Sequence, residues 1–132
     1  MIDIETIVFD HVYDAISELL PPDCIVSEYV PVAEKLPFVT LVEIANVTMA
    51  AGQDNRLKEN FAVIAYDANV YADTKEECRR IAIALDNAML EMQFARVSPG
   101  MQYITNMSDP LLSRMQARYE AVTDGHEIYR KP

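Results

Sequence analysis

The chain has 132 residues, near the commonest size of a single domain and enough to bury one core. Hydrophobic residues make up 51% and charged residues 24%, spread along the whole length, which excludes a disordered chain. With 21 acids against 11 bases the net charge is −10, a balance that repels phosphate backbones and argues against a nucleic-acid grip.

In chain order, Ile4 to Leu20 reads as a helix, because Val8, Val12, Ile16 and Leu19 recur at intervals of three and four. Asp10, Asp14 and Glu18 form an i, i+4 acidic row on another face without cations to offset it, so that row is expected to meet water or a partner. Pro21-Pro22 ends the helix, since neither residue can donate a backbone hydrogen bond. Cys24 to Val30 reads as a short strand through Ile25, Val26, Tyr29 and Val30. Pro31 and Pro37 then bracket a loop. Phe38 to Met49 is a longer strand with two largely apolar sets, Phe38, Val42 and Ile44 on one and Val39, Leu41, Ala45 and Val47 on the other. Such a strand is expected to be covered on both faces, by a helix and by another layer or subunit.

Ala50 to Asn60 is polar and reads as a long hairpin connection. Phe61 to Tyr71 returns as a strand with Ile64, Tyr66 and Val70 on one face and Phe61, Val63, Asp67, Asn69 and Tyr71 on the other. Thr74 to Met92 carries the clearest helix signal. Thr74 and Glu77 match a capping box, and Cys78, Ile81, Ala82, Leu85, Ala88, Met89 and Met92 make one apolar stripe. Phe94 to Val97 and Met101 to Ile104 each suit a strand, with Ser98-Pro99-Gly100 as the turn between them and 106–110 as a loop. Leu112 to Val122 alternates between Met115, Ala117, Tyr119 and Ala121 on one face and Arg114, Gln116, Arg118 and Glu120 on the other. The last residues, 124–132, read as a loose polar tail.

The expected fold is therefore one α+β domain over residues 1–132, in the order α-β-β-β-α-β-β. Both helices lie on one face of a mostly antiparallel sheet, and the other sheet face stays partly apolar and available for interaction. The start of the chain lacks the basic region of a signal peptide, and no run of about 18 apolar residues exists to span a membrane. Cys24 and Cys78 form no ligand cluster, so two buried free thiols of a reducing compartment are expected.

The residues offer no catalytic constellation. His11 and His126 each have a carboxylate nearby, but neither stretch supplies a nucleophile or a substrate pocket. Only Gly52, Gly100 and Gly125 are glycines, and none opens a helix to cradle phosphate. No catalytic, cofactor-binding or metal residue is assigned, and no enzyme activity is expected. Two polar clusters suit contacts with a neighbouring molecule. One is the loop group Gln53, Asp54, Asn55, Arg56 and Lys58, and the other is the strand row Arg114, Gln116, Arg118 and Glu120. The arginines of that row would pair well with acids of an adjacent subunit, the first helix being one supplier. Plain solvation of a polar sheet face is the alternative.

Three stretches resemble a known family. Phe61 to Tyr71, running through Asp73-Thr74-Lys75-Glu76-Glu77, resembles the strand-to-helix join of phage tail terminator and tail-completion proteins, with its D-T-x-E-E helix start. The helix from Ile81 to Met89 is similar. So is the closing strand Arg114 to Val122, which resembles the family's R-x-x-x-R-Y-E strand. The resemblance covers roughly residues 57–124 and implies no catalytic residue or cofactor. It implies a virion protein assembled in the host cytoplasm, a hexameric ring that caps the tail tube, stops its growth and docks the head connector. Its partners would be other copies of itself, the tube protein and the head-completion protein. DNA would pass through without specific binding, eased by an acidic lumen. A head-completion or neck connector protein is the nearest alternative. A small oligomeric ligand-binding module or an enzyme is the alternative from another class.

Overall fold

The computed structural model describes residues 1–29, 35–48, 61–105 and 112–130. The polar loop holding Gln53, Asp54, Asn55, Arg56 and Lys58 lies outside the described residues, as do the loop at 106–110 and most of the loop bracketed by Pro31 and Pro37.

The chain begins with helix α1, Glu5–Ile16, which tightens into a 3₁₀ turn at Ser17–Leu19 ahead of the two prolines. Its start is held by Asp3, whose Oδ1 accepts the Glu5 amide at 3.1 Å. Strand β1 is only Ile25–Val26, shorter than the stretch to Val30 that propensity suggests. Tyr29 lies beyond its end and its hydroxyl reaches across to Asp67. Strand β2 runs Phe38–Thr48 and β3 runs Ala62–Ala72. Helix α2 follows over Lys75–Glu91, then β4 (Ala95–Arg96), β5 (Gln102–Thr105), β6 (Ser113–Thr123) and β7 (Ile128–Arg130).

Helix α2 begins as its sequence predicts. Thr74 is extended, and its Oγ1 accepts the Glu77 amide at 3.2 Å, satisfying one of the free donors of the first turn. Its other end stops at Gln93, which takes a left-handed φ of 71° just past the cap.

The sheet is α+β in the expected sense. Its order is β1-β2-β3-β6, and β4, β5 and β7 share the far side of β6. All pairings are antiparallel except β1 with β2. β3 and β6 pair over their whole length, from Ala62 opposite Thr123 to Ala72 opposite Ser113.

This register stacks Ile64, Tyr66, Ala68 and Val70 beside Ala121, Tyr119, Ala117 and Met115 on one face, where both helices pack. Val8, Val12 and Ile16 of α1 and Cys78, Ile81, Ala82, Leu85, Ala88 and Met89 of α2 are all buried there. The small residues Ala68, Ala82, Ala88 and Ala117 let α2 approach the sheet closely. Phe94 closes the core edge-on against Tyr66, centroids 5.6 Å apart. Cys24 and Cys78 are buried and unbonded to each other. The Cys78 thiol donates to the Val70 carbonyl at 3.2 Å, and burial pushes its pKa up to about 11.

Two expectations need correction. Strand β2 does not keep one alternation, because its register with β3 shifts between Glu43 and Ala45, leaving Ile44 as a bulge. The extra residue moves Ala45 and Val47 to the face of Phe38 and Val42, and brings Asn46 to the face of Val39, Leu41 and Glu43. The tail is not loose as far as Arg130, since β7 pairs with β6 through Val122 opposite Tyr129. A tight turn makes this possible. Asp124 Oδ1 accepts the amides of His126 and Glu127, both at 2.8 Å, while Gly125 supplies a φ of 95°. Those two amides also lower the Asp124 pKa.

Candidate functional site

The face of the sheet turned away from the helices carries the distinctive chemistry. In β6 the side chains alternate strictly, so Met115, Ala117 and Tyr119 are buried while Arg118 is exposed and Arg114, Gln116 and Glu120 are half-buried. The antiparallel register sets Arg114 opposite Tyr71, Gln116 opposite Asn69, Arg118 opposite Asp67 and Glu120 opposite Ala65. The expected row is thus present on one face, and β3 supplies its partners.

Asp67 is the centre of the network. Its residue is 4% exposed, so its carboxylate needs donors to replace water. Gln116 Nε2 donates to Oδ1 at 2.8 Å, and the Tyr29 hydroxyl and Asn69 Nδ2 donate to Oδ2. Asn69, fully buried, in turn accepts from Arg114 Nε and a terminal nitrogen at 3.1 and 2.7 Å. The Arg114 guanidinium also lies 5.5 Å from the centre of the Tyr71 ring. Burial, followed by the Asp67 bond, pushes the Tyr29 hydroxyl up to about 12. Thr40, opposite Asn69, is buried as well, and its Oγ1 has no partner among the described residues.

Beside this network the turn after β4 forms a cleft of about 180 Å³, walled by Asp67, Ser98, Pro99, Gln102, Gln116 and Arg118. Towards the other end of the same face the polar groups give way to an apolar rung, Val47 beside Val63 beside Val122. Val47 is 59% exposed, so this rung is a surface feature. The face is therefore mixed, with a polar, internally bonded centre and an apolar end.

Tyr29, Asp67 and Asn69 belong to this network and were not singled out from sequence. Asp67 and Asn69 had a signal: they are polar residues two apart in an apolar strand, on the face opposite its core set. Tyr29 had none, because it meets Asp67 across 38 positions of chain. The loop candidates Gln53, Asp54, Asn55, Arg56 and Lys58 fall outside the described residues.

The histidines lie elsewhere. His11 is exposed and its Nε2 is 3.2 Å from a Glu91 carboxylate oxygen, joining α1 to the end of α2. His126 is exposed in the β6–β7 turn. Among the described residues no group of three or more His, Cys, Asp or Glu is arranged to hold a metal ion, and no helix is long and apolar enough to cross a membrane. No protein-family model and no curated protein sequence matches this chain.

Proposed function

We propose that this chain is a structural assembly protein of the tail-terminator type, forming a hexameric ring that caps a phage tail tube and offers a docking surface to the head connector. The observation that carries this reading is the sheet face of three eleven-residue strands, on which β6 displays Arg114, Gln116, Arg118 and Glu120 beside the Val47–Val63–Val122 rung. A broad face mixing apolar area with hydrogen-bonded charge suits a protein interface. The network beneath it holds Arg114 and Gln116 in fixed positions, so little side-chain freedom is lost when a neighbour packs there. The same strand carries the R-x-x-x-R-Y-E resemblance. Its alternation explains that pattern, with Tyr119 serving the core while Arg114 and Arg118 serve the opposite face.

The native mass of the purified protein over a wide concentration range, with negative-stain images, tests the reading. Hexameric rings, and arrest of polymerising tail tubes by added protein, are the expected results. A dimer whose mass is independent of concentration would overturn it in favour of a ligand-binding module.

A further inference from the structure

The ring reading requires each copy to offer two different surfaces, one to each neighbour. Resting on that reading, we propose that the acidic outer stripe of α1 of one copy seats in the cleft between α2 and the β4–β5 edge of the next copy. This cleft is about 240 Å³ and is walled by Arg79, Ile83, Asp86, Arg96, Met101 and Met115.

Two arginines on its wall offer donors to a carboxylate. Asp86 is already committed within the chain, since its Oδ1 accepts from the Tyr119 hydroxyl at 2.8 Å and lies 3.1 Å from Arg96 Nε. The terminal nitrogens of Arg96 remain available, and Arg79 has no hydrogen bond or ion pair among the described residues. Two guanidinium groups therefore border one concavity, and guanidinium binds carboxylate through paired donors. Ile83 is 54% exposed at its rim, and the two methionines give it an adaptable apolar floor.

The stripe is the complement. Ile7, Asp10 and Asp14 recur at i, i+3 and i+7, so they share one side of α1, opposite the buried Val8, Val12 and Ile16. All three are exposed, Ile7 by 53%, and α1 contains no lysine or arginine to neutralise its acids. The placement also fits. α2 crosses β3 and β6 and reaches β4, whereas α1 packs on the β2 side of α2, where Asn46 of β2 donates to the Ile2 carbonyl at 2.6 Å. Stripe and cleft are thus two different surfaces, one on α1 and the other between α2 and the β4–β5 edge. A contact between unlike surfaces joins copies head to tail, the kind of contact that closes a ring by rotation.

Sedimentation of four variants tests the contact: Arg79→Glu, Asp14→Arg, the two combined in one chain, and Arg79→Lys as a charge-conserving control. Both positions are exposed, so circular dichroism should report an unchanged fold. Each single reversal is expected to weaken subunit association at least about tenfold, the combined variant to recover most of it, and Arg79→Lys, which keeps the charge but loses the paired donors, to fall between wild type and Arg79→Glu. Rings that form undiminished with Arg79→Glu, or a combined variant no better than the singles, would overturn this contact while leaving the ring reading in place. Wild-type protein that neither forms rings in solution nor caps tubes would remove both.

Discussion

Two carboxylates on the central strands meet opposite fates. Asp67 is buried among three donors, from Tyr29, Asn69 and Gln116, so its charge is compensated. Glu43 lies on the helix side of β2, opposite Tyr66, and its Oε1 is buried without a partner among the described residues. Burial first, and then the nearby Glu5 and Asp3 carboxylates, raise its pKa above the ordinary 4.5. The sign follows from linkage. The folded state holds this proton more tightly than the unfolded state, so the stabilisation from Glu43 is present below pH 4.5 and is lost as pH rises through the raised value. Glu43→Gln removes the charge at nearly constant shape. Urea unfolding at pH 7 should give a higher midpoint for Glu43→Gln than for wild type, and the gap should close as the pH falls towards 4. An equal gap at both pH values would mean that the charge of Glu43 costs nothing.

At the scale of elements, the β6–β7 turn decides what the end of the chain does. Thr123 Oγ1 donates to the Glu127 carbonyl at 2.7 Å and accepts the Gly125 amide at 3.0 Å, so the turn is bonded from both sides. Gly125 holds a φ of 95°, where a side chain is strained, while a Cβ there would meet only ordinary contact with Ile2 Cγ2 at 3.5 Å. Gly125→Ala is therefore expected to cost about 1 kcal/mol through backbone strain. The cost should fall locally, so hydrogen exchange should quicken in Ile128–Arg130 before it does in β3. Exchange that quickens uniformly would place the strain elsewhere. Asp124-Gly125 is itself a hairpin signal, which the polar composition of the tail obscures. The bulge at Ile44 left no comparable trace. Both alternating sets of β2 are apolar, so the sequence pattern carries no mark of the register shift.

For the whole molecule, the acids outnumber the bases so far that duplex DNA should find no grip. Filter binding at low salt should show an affinity weaker than about 0.1 mM, without the steep salt dependence of phosphate contacts. Tight, salt-sensitive binding would remove the proposed acidic conduit. Four of the eleven cations fall in two places, Arg114 and Arg118 on the sheet face and Arg79 and Arg96 at the α2 cleft. Of the first pair, Arg114 is held by Asn69, whereas Arg118 is exposed.

The sequence by itself determined the α+β class, both helices with their buried stripes, the capping of α2 by Thr74 and the alternation of β6. These rest on periodicity and on contacts within a few positions, which a chain carries locally. Only the tertiary structure decided the rest: the bulge that turns Ala45 and Val47 over, the pairing of β7, and the bonding of Tyr29, Asp67, Asn69, Gln116 and Arg114 into one network. These depend on register between strands far apart in the chain. A one-residue shift in that register exchanges the two faces of a strand, and nothing in a strand's own residues records which neighbour it will meet.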